Sequence, residues 1–337
     1  MNAEVIGDGS DTPAMRGNRY LKEKRDAKVC IRIQGSGRTP TSATVTTWGA
    51  MSSQILTLRE HLLDQRVSCV VMEATGDYWK PYFYLLEDTL TVMLVNAHDA
   101  RNMPGRKTDV SDAAWLADLG AHGLLRASLV PPPPMRELRD LTRTRSTLTR
   151  ERARQVQRIE KVLEDAGIKL SSVATDIMGV SGRAMLEALI AGQSGPAAMA
   201  DLAQRRMRSK IPVLTEALTG RFTTHHGYLI RMHLGLIDQC GQALADLDDR
   251  ISAVITPLAA ARDLLMSIPG VSRIVAEVLL AETGADMSVF ATAGHLASWA
   301  GTTPGCNESA GKMKSTKTGS SHFVGVWCCP ASCRVGD

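Results

Sequence analysis

No stretch of this 337-residue chain is apolar for long enough to span a bilayer, and its polar first residues hold no apolar signal core. The expected location is therefore the cytosol. Paired C-x-x-C spacing is also missing. The seven cysteines (Cys30, Cys69, Cys240, Cys306, Cys328, Cys329 and Cys333) are odd in number and scattered, so they read as free thiols rather than a disulfide framework. His322 with Cys328, Cys329 and Cys333 lacks zinc-ligand spacing. Charge of one sign is not in excess: a formal net charge of +4 permits a nucleic-acid partner without demanding one. What is present is an apolar fraction of 44%, enough for two or three cored domains.

Residues 1–27 are polar, without periodicity, and read as unstructured. Lys28 to Ile33 and Ala43 to Thr47 read as strands, and Met51 to Asp64 as a helix with Ile55, Leu58 and Leu62 on one face. Val67 to Met72 and Leu90 to Val95 are short apolar runs typical of buried strands, with a helical segment from Tyr78 to Glu87 between them. Alternation of strands and helices over residues 28–130 predicts an α/β layer with a largely parallel second half. Four prolines, Pro131 to Pro134, read as a stiff extended spacer and a boundary. Residues 135–258 then read as an all-α, coiled-coil region. Met135 to Ala166 carries an apolar seam interrupted by Arg145, Arg152 and Gln155, flanked by Arg136, Arg139, Arg143, Arg150, Arg154 and Arg158. That arginine face is either a solvated surface or a track for a nucleic-acid backbone. A second seam runs through Ile237, Cys240, Leu244, Leu247, Ile251, Val254 and Leu258.

Chemistry concentrates in four places. Glu73 stands at the carboxyl end of a strand, where α/β sheets build sites. Asp109 and Asp112, three apart, share one face of a helix start, just after Arg106 and Lys107. They are either first-turn caps or ligands of a divalent cation that meets a phosphate. Leu264 to Thr283, broken at Pro269-Gly270, has a helix-hairpin-helix pattern whose backbone N–H groups suit a phosphate, or is an ordinary helical turn. Ser309 lies in a Gly- and Pro-rich stretch read as a loop, ahead of Lys312, Lys314 and Lys317; it is a nucleophile if something activates it.

Met72-Glu73-Ala74-Thr75-Gly76 with Tyr78-Trp79-Lys80-Pro81, Pro104 to Ala113, Ile268-Pro269-Gly270-Val271, and Asn307 to Lys312, in this order, resemble the DEDD transposases of the insertion-sequence one-ten class, over about residues 28–318. The resemblance implies a Holliday-junction-resolvase-like (RNase H-like) domain at 28–130. It further implies a coiled-coil region at 135–258 supporting dimer or tetramer assembly, and a transposase domain with a helix-hairpin-helix at 259–318. It implies DNA strand cleavage and exchange on the bacterial chromosome, guided by a structured RNA from the element. Magnesium (Mg2+) would be held by Glu73, Asp109 and Asp112, three of the family's four acids. Ser309 would be the nucleophile, and Arg106, Lys107, Gly270, Lys312 and Lys314 would meet nucleic acid.

Two departures from the family pattern stand out. Aligned by Lys24, Leu21 occupies the place of the first acid and the strand that should carry it is missing. After Thr318 the text also leaves the pattern, so residues 1–27 and 319–337 read as degenerate. The alternatives are then a catalytically dead remnant that still binds nucleic acid, or a metal-dependent junction nuclease that needs no serine.

Overall fold

The computed structural model describes residues 2–8, 26–35, 38, 40–74, 76–96, 109–193, 195–302, 307–309 and 312–315, with backbone alone for 2–8, 109–112, 307–309 and 312–315. The chain divides into two compact units, Met1–Val130 and Pro131–Asp337.

The first unit is built on a sheet of five strands: β1 (Asn2–Asp8), β2 (Asp26–Ile33), β3 (Ser42–Gly49), β4 (Cys69–Ala74) and β5 (Val92–Asn96), in the order β3-β2-β1-β4-β5. β1, β2 and β3 pair antiparallel; β4 runs parallel to β1, and β5 parallel to β4. The expectation of an unstructured N-terminus fails at Asn2–Asp8, which form the central strand. The missing strand is therefore supplied, by residues upstream of the place searched. Val5-Ile6 is too short an apolar pair to announce it. The stretch is a strand because β2 and β4 offer open backbone groups on both sides, each of which needs a partner. Asp26, read as lying outside the strands, begins β2.

The sheet is covered on both faces, as the apolar runs of β2 and β4 require. On one face α1 (Ser52–Asp64) sets Ile55, Leu58 and Leu62, the three residues its periodicity selects, against Val29, Ile31, Val70 and Met72. Tyr82, Phe83 and Leu86 of α2 (Trp79–Leu86) join that core. On the other face Ala113, Leu116 and Ala117 of α3 (Asp109–Ala121) pack on Cys30, Val71 and Val95.

The second unit is helical. α4 (Pro133–Asp165) starts inside the proline run, with proline in its first turn. The reading of all four prolines as an extended spacer is corrected here: first-turn N–H groups have no helical acceptor, so proline loses nothing there. α4 pairs antiparallel with α9 (Thr224–Val254): Ile159 and Leu163 share a core with Ile230, Leu234 and Ile237, whereas Met135 and Leu138 share one with Ile251. Between those cores Cys240, Leu244 and Leu247 are only half-buried, so the seam read through them is not a continuous interior. Four short helices fill in between: α5 (Leu170–Val173), α6 (Val180–Ile190), α7 (Pro196–Ala200) and α8 (Ile211–Ala217). α10 (Ala259–Met266), α11 (Arg273–Thr283) and α12 (Ala293–Trp299) follow, then a hairpin of β6 (Asn307–Ser309) and β7 (Lys312–Ser315). Among the described residues no helix is long and apolar enough to cross a membrane.

The start of α9 is tied to the end of α4. His226 Nδ1 accepts from the Thr223 N–H at 3.0 Å, so Nε2 carries the ring proton and donates to Asp165 Oδ2 at 2.9 Å. That hydrogen bond, with the charge of Arg221, holds the Asp165 carboxyl below the usual carboxylate range. A depressed carboxylate contributes stability above its unfolded value, about 3.9, and loses it as pH falls through the folded value. Asp165→Asn should therefore lower the neutral plateau of a stability–pH profile toward its acid level and flatten the acid limb. A variant whose acid limb stays as steep as the wild type's would contradict this.

Candidate nucleic-acid processing site

Glu73 is half-buried on the last turn of β4, in register with Val95. Side chains alternate along a strand, so Glu73 shares its face with Cys69 and Val71, the face that α3 covers. α3 opens at Asp109, and Asp112 lies in its first turn; the side chains of both lie outside the description, as do Arg106 and Lys107 altogether. Two contacts seat the later part of α3. Gly120 comes so close to the sheet that a Cβ there would stand 2.9 Å from Val71 Cγ2. Arg32, at the far end of β2 and in register with Ala3, pairs with Asp118 at 3.1 Å. Ala3 is in turn level with Cys69, the start of β4. The later part of α3 is thus seated on Val71, in the middle of β4, and on Arg32 of β2. Among the described residues no three His, Cys, Asp or Glu side chains are grouped for a metal ion.

Gly120→Val should lift α3 from Val71 and cost about 1–3 kcal/mol by overpacking. Chemical denaturation measures it, and an unchanged midpoint would mean that α3 is not seated there.

β1 changes the account of the first acid. The row of β1 in register with Arg32, Cys30 and Lys28 is Ala3, Val5 and Gly7. Cys30 lies under α3, so this row is on the Glu73 face, and it holds no carboxylate. Asp8 falls in the other row, level with Ala27, which packs against α1 and α2. Leu21, read as standing in the acid's place, lies outside the described residues; in β1 it is Gly7 that continues the row on the Glu73 face.

In the second unit, α10 and α11 are joined through Pro269-Gly270, with Gly270 at φ +86°, a left-handed conformation that suits glycine. Ser272 caps α11 by accepting from the Val275 N–H at 3.4 Å. α11 is held to α4 by arginines that the sequence offered as a nucleic-acid track. Arg143 donates through Nε and Nη2 to both oxygens of Glu282 at 2.8 and 2.9 Å. Arg139 donates to the carbonyls of Ala281 and Glu282 at 3.2 and 2.7 Å. Arg145, only 6% exposed, donates to Glu277 at 2.6 Å and to Asp248 at 3.0 Å; Glu277, 1% exposed, also accepts from Arg273 at 2.7 Å. For Arg139 and Arg143 the backbone-track reading gives way to a clamp, which Arg145, the break in the apolar seam, completes. Glu277 and Glu282 went unremarked in the sequence because acids on an amphipathic helix look solvated until the partner helix is known.

Ser309 and Lys312 pair across β6 and β7, and Lys314 follows in β7. The stretch read as a loop is in part a strand hairpin, β6 pairing antiparallel with β7.

A family model for DEDD transposases of IS110, described as Transposase, matches residues 24–168. A second, described as Transposase IS116/IS110/IS902 family, matches residues 262–335. The first match begins downstream of β1. The second runs past Thr318, which corrects the reading of 319–337 as unrelated text. No curated protein matches the chain. Both models name the same class, and they fall in the order that the motifs around Glu73, Asp109 and Ser309 set: the chain belongs to the IS110 family of transposases.

Proposed function

We propose that this chain cleaves and rejoins DNA strands for an insertion sequence, with Glu73, Asp109 and Asp112 as one catalytic group and Ser309 as the nucleophile. The observation that carries the reading is the face that α3 covers. The helix that opens with Asp109 and Asp112 packs on the sheet face to which Glu73 belongs, through Ala113, Leu116 and Ala117 on Cys30, Val71 and Val95. The sheet order β3-β2-β1-β4-β5, antiparallel then parallel, supports an RNase H-like reading of this unit. The Pro269-Gly270 link with left-handed Gly270 supports a helix-hairpin-helix in the other.

Three carboxylates, if gathered at one strand end as proposed, would suit a hard divalent cation such as Mg2+, which prefers oxygen donors. Bound there, it would stabilise charge building on a phosphoryl group. The chain's own part is to hold the strand and supply the attacking oxygen. Ser309 Oγ adds to phosphorus, its proton leaves, and a bridging ester oxygen departs as the new strand end. Lys312 and Lys314, on the facing strand of the hairpin, meet the phosphate charge. Gly270 and the hairpin N–H groups, with Arg106 and Lys107, position the DNA backbone. Recognition of sequence is assigned to an element-encoded RNA, and assembly to a homo-oligomer through the helical unit.

One observation favours a second reading, a nucleic-acid-binding chain without catalysis: the β1 row beside Glu73 is Ala3, Val5 and Gly7. An excision assay with the element's own ends separates the two. The first reading expects metal-dependent excision lost in Ser309→Ala. The second expects none from wild type, with gain in Gly7→Asp. Excision that survives Ser309→Ala would instead favour a nuclease using the acids alone.

A further inference from the structure

The helical unit holds a cleft of about 730 Å3 between the start of α6 and the turn of 3-10 helix Arg205–Lys210. Three cations line it: Arg205, Arg206 and Lys210. Lys210 donates to the Val173 carbonyl at 2.9 Å, which fixes its position. Arg205 and Arg206 are exposed, and among the described residues no carboxylate pairs with either. The next arginine along α6, Arg183, differs: Asp238 takes its guanidinium through two bonds of 2.9 and 2.7 Å. The only acid in the lining, Asp176, already accepts from the Met178 N–H at 2.9 Å.

The floor is built for an acceptor. α6 starts behind Gly179, which makes no side-chain cap, and the residues of that helix start, Gly179 to Gly182, line the cleft. Ser181, 7% exposed, accepts from the Gln204 N–H at 2.9 Å. Its own O–H has no acceptor among the described residues and is available to a bound oxygen. The same bond ties the basic turn to the helix start. The entry Ile-x-Gly-Val-Ser occurs twice in the chain, as Ile177 to Ser181 before α6 and as Ile268 to Ser272 before α11. The volume exceeds what one inorganic anion fills and lies in the range of organic ligand sites.

We propose that this cleft is a backbone-binding site for a nucleic-acid strand, with a phosphodiester against Arg205, Arg206 and the start of α6. It rests on the nucleic-acid partner of the preceding section but not on Glu73, Asp109, Asp112 or Ser309. The test is fluorescence anisotropy with the full chain, on a single-stranded RNA and on a DNA duplex, over a salt titration. The variant is R205G/R206A. Arg205 sits at φ +51°, where glycine is at ease, so this pair removes two charges without straining the turn. The expected result is affinity lower by about tenfold or more and a log–log salt slope shallower by about two, with unchanged circular dichroism. Loss on RNA alone, on DNA alone or on both identifies the strand and supports the site. Binding and slope equal to wild type on both probes would overturn it. Wild type that binds neither probe would overturn this proposal and the nucleic-acid reading together, whereas S309A binding like wild type while R205G/R206A does not keeps the cleft separate from catalysis.

Discussion

Glu277→Ala should destabilise the helical unit by about 3–5 kcal/mol, more than the loss of any exposed ion pair in the molecule. Glu277 is 1% exposed and is shared by Arg145 and Arg273. Removing it leaves the Arg145 guanidinium, 6% exposed, with only the exposed Asp248 to answer it. Arg145 Nη2 is already buried without a hydrogen-bond partner, so no reserve exists. The cost is that of an uncompensated buried charge, not the net worth of the pair. The two differ measurably: replacing both partners by apolar residues, R145M/E277L, should restore most of the lost stability, because dry, well-packed side chains of similar volume stand in for buried ions at little cost. Urea midpoints of the single and double variants make the comparison. A double variant as unstable as E277A would mean that α11 depends on the charges themselves.

Asp112→Asn should abolish metal-dependent excision, by on the order of 10^3-fold, while leaving the fold intact. Stabilising charge on a phosphoryl group supplies several kcal/mol, and each 1.36 kcal/mol is tenfold in rate. Asn keeps the size and much of the capping ability of Asp at a helix start. A stability midpoint within about 1 kcal/mol of wild type is therefore expected alongside the lost activity. Activity retained with reduced stability would mean that the acid serves only as a first-turn cap. Asp109→Asn carries the same expectation and the same control.

How much of this was legible in the sequence depended on where each element's reason lies. α1 was legible because its reason is local: Ile55, Leu58 and Leu62 recur at helical spacing and are the residues buried. β4 was legible because a central strand covered on both faces is an apolar run, and Glu73 breaks that run at its end. β1 was not, since Val5-Ile6 between Glu4 and Gly7 carries no pattern; its partners make it a strand. The arginines of α4 were misjudged for the same reason. Glu277 and Glu282 lie 132 and 139 residues beyond Arg145 and Arg143, and only the packing of α11 on α4 turns an apparently solvated face inward. Of the candidate site, Glu73, Asp109, Asp112 and Ser309 are selected by sequence alone, and the structure adds that Glu73 lies on the sheet face that α3 covers. The glycine at the β1 position was not legible, because it follows from register alone. The basic cleft was half legible. Arg205, Arg206, Arg208 and Lys210 stand out as a cluster, but the helix start that faces them is 20-odd residues upstream and reaches them through Ser181 and Gln204.

The most direct measurement is a search for a covalent protein–DNA adduct. The full chain, with the proposed element-encoded RNA and Mg2+ added, would be incubated with the element's DNA ends, digested, and mapped by mass spectrometry. The account predicts a phosphodiester-linked nucleotide on Ser309, absent from Ser309→Ala and from Asp112→Asn. Excision without any adduct, or an adduct that persists in Ser309→Ala, would contradict it.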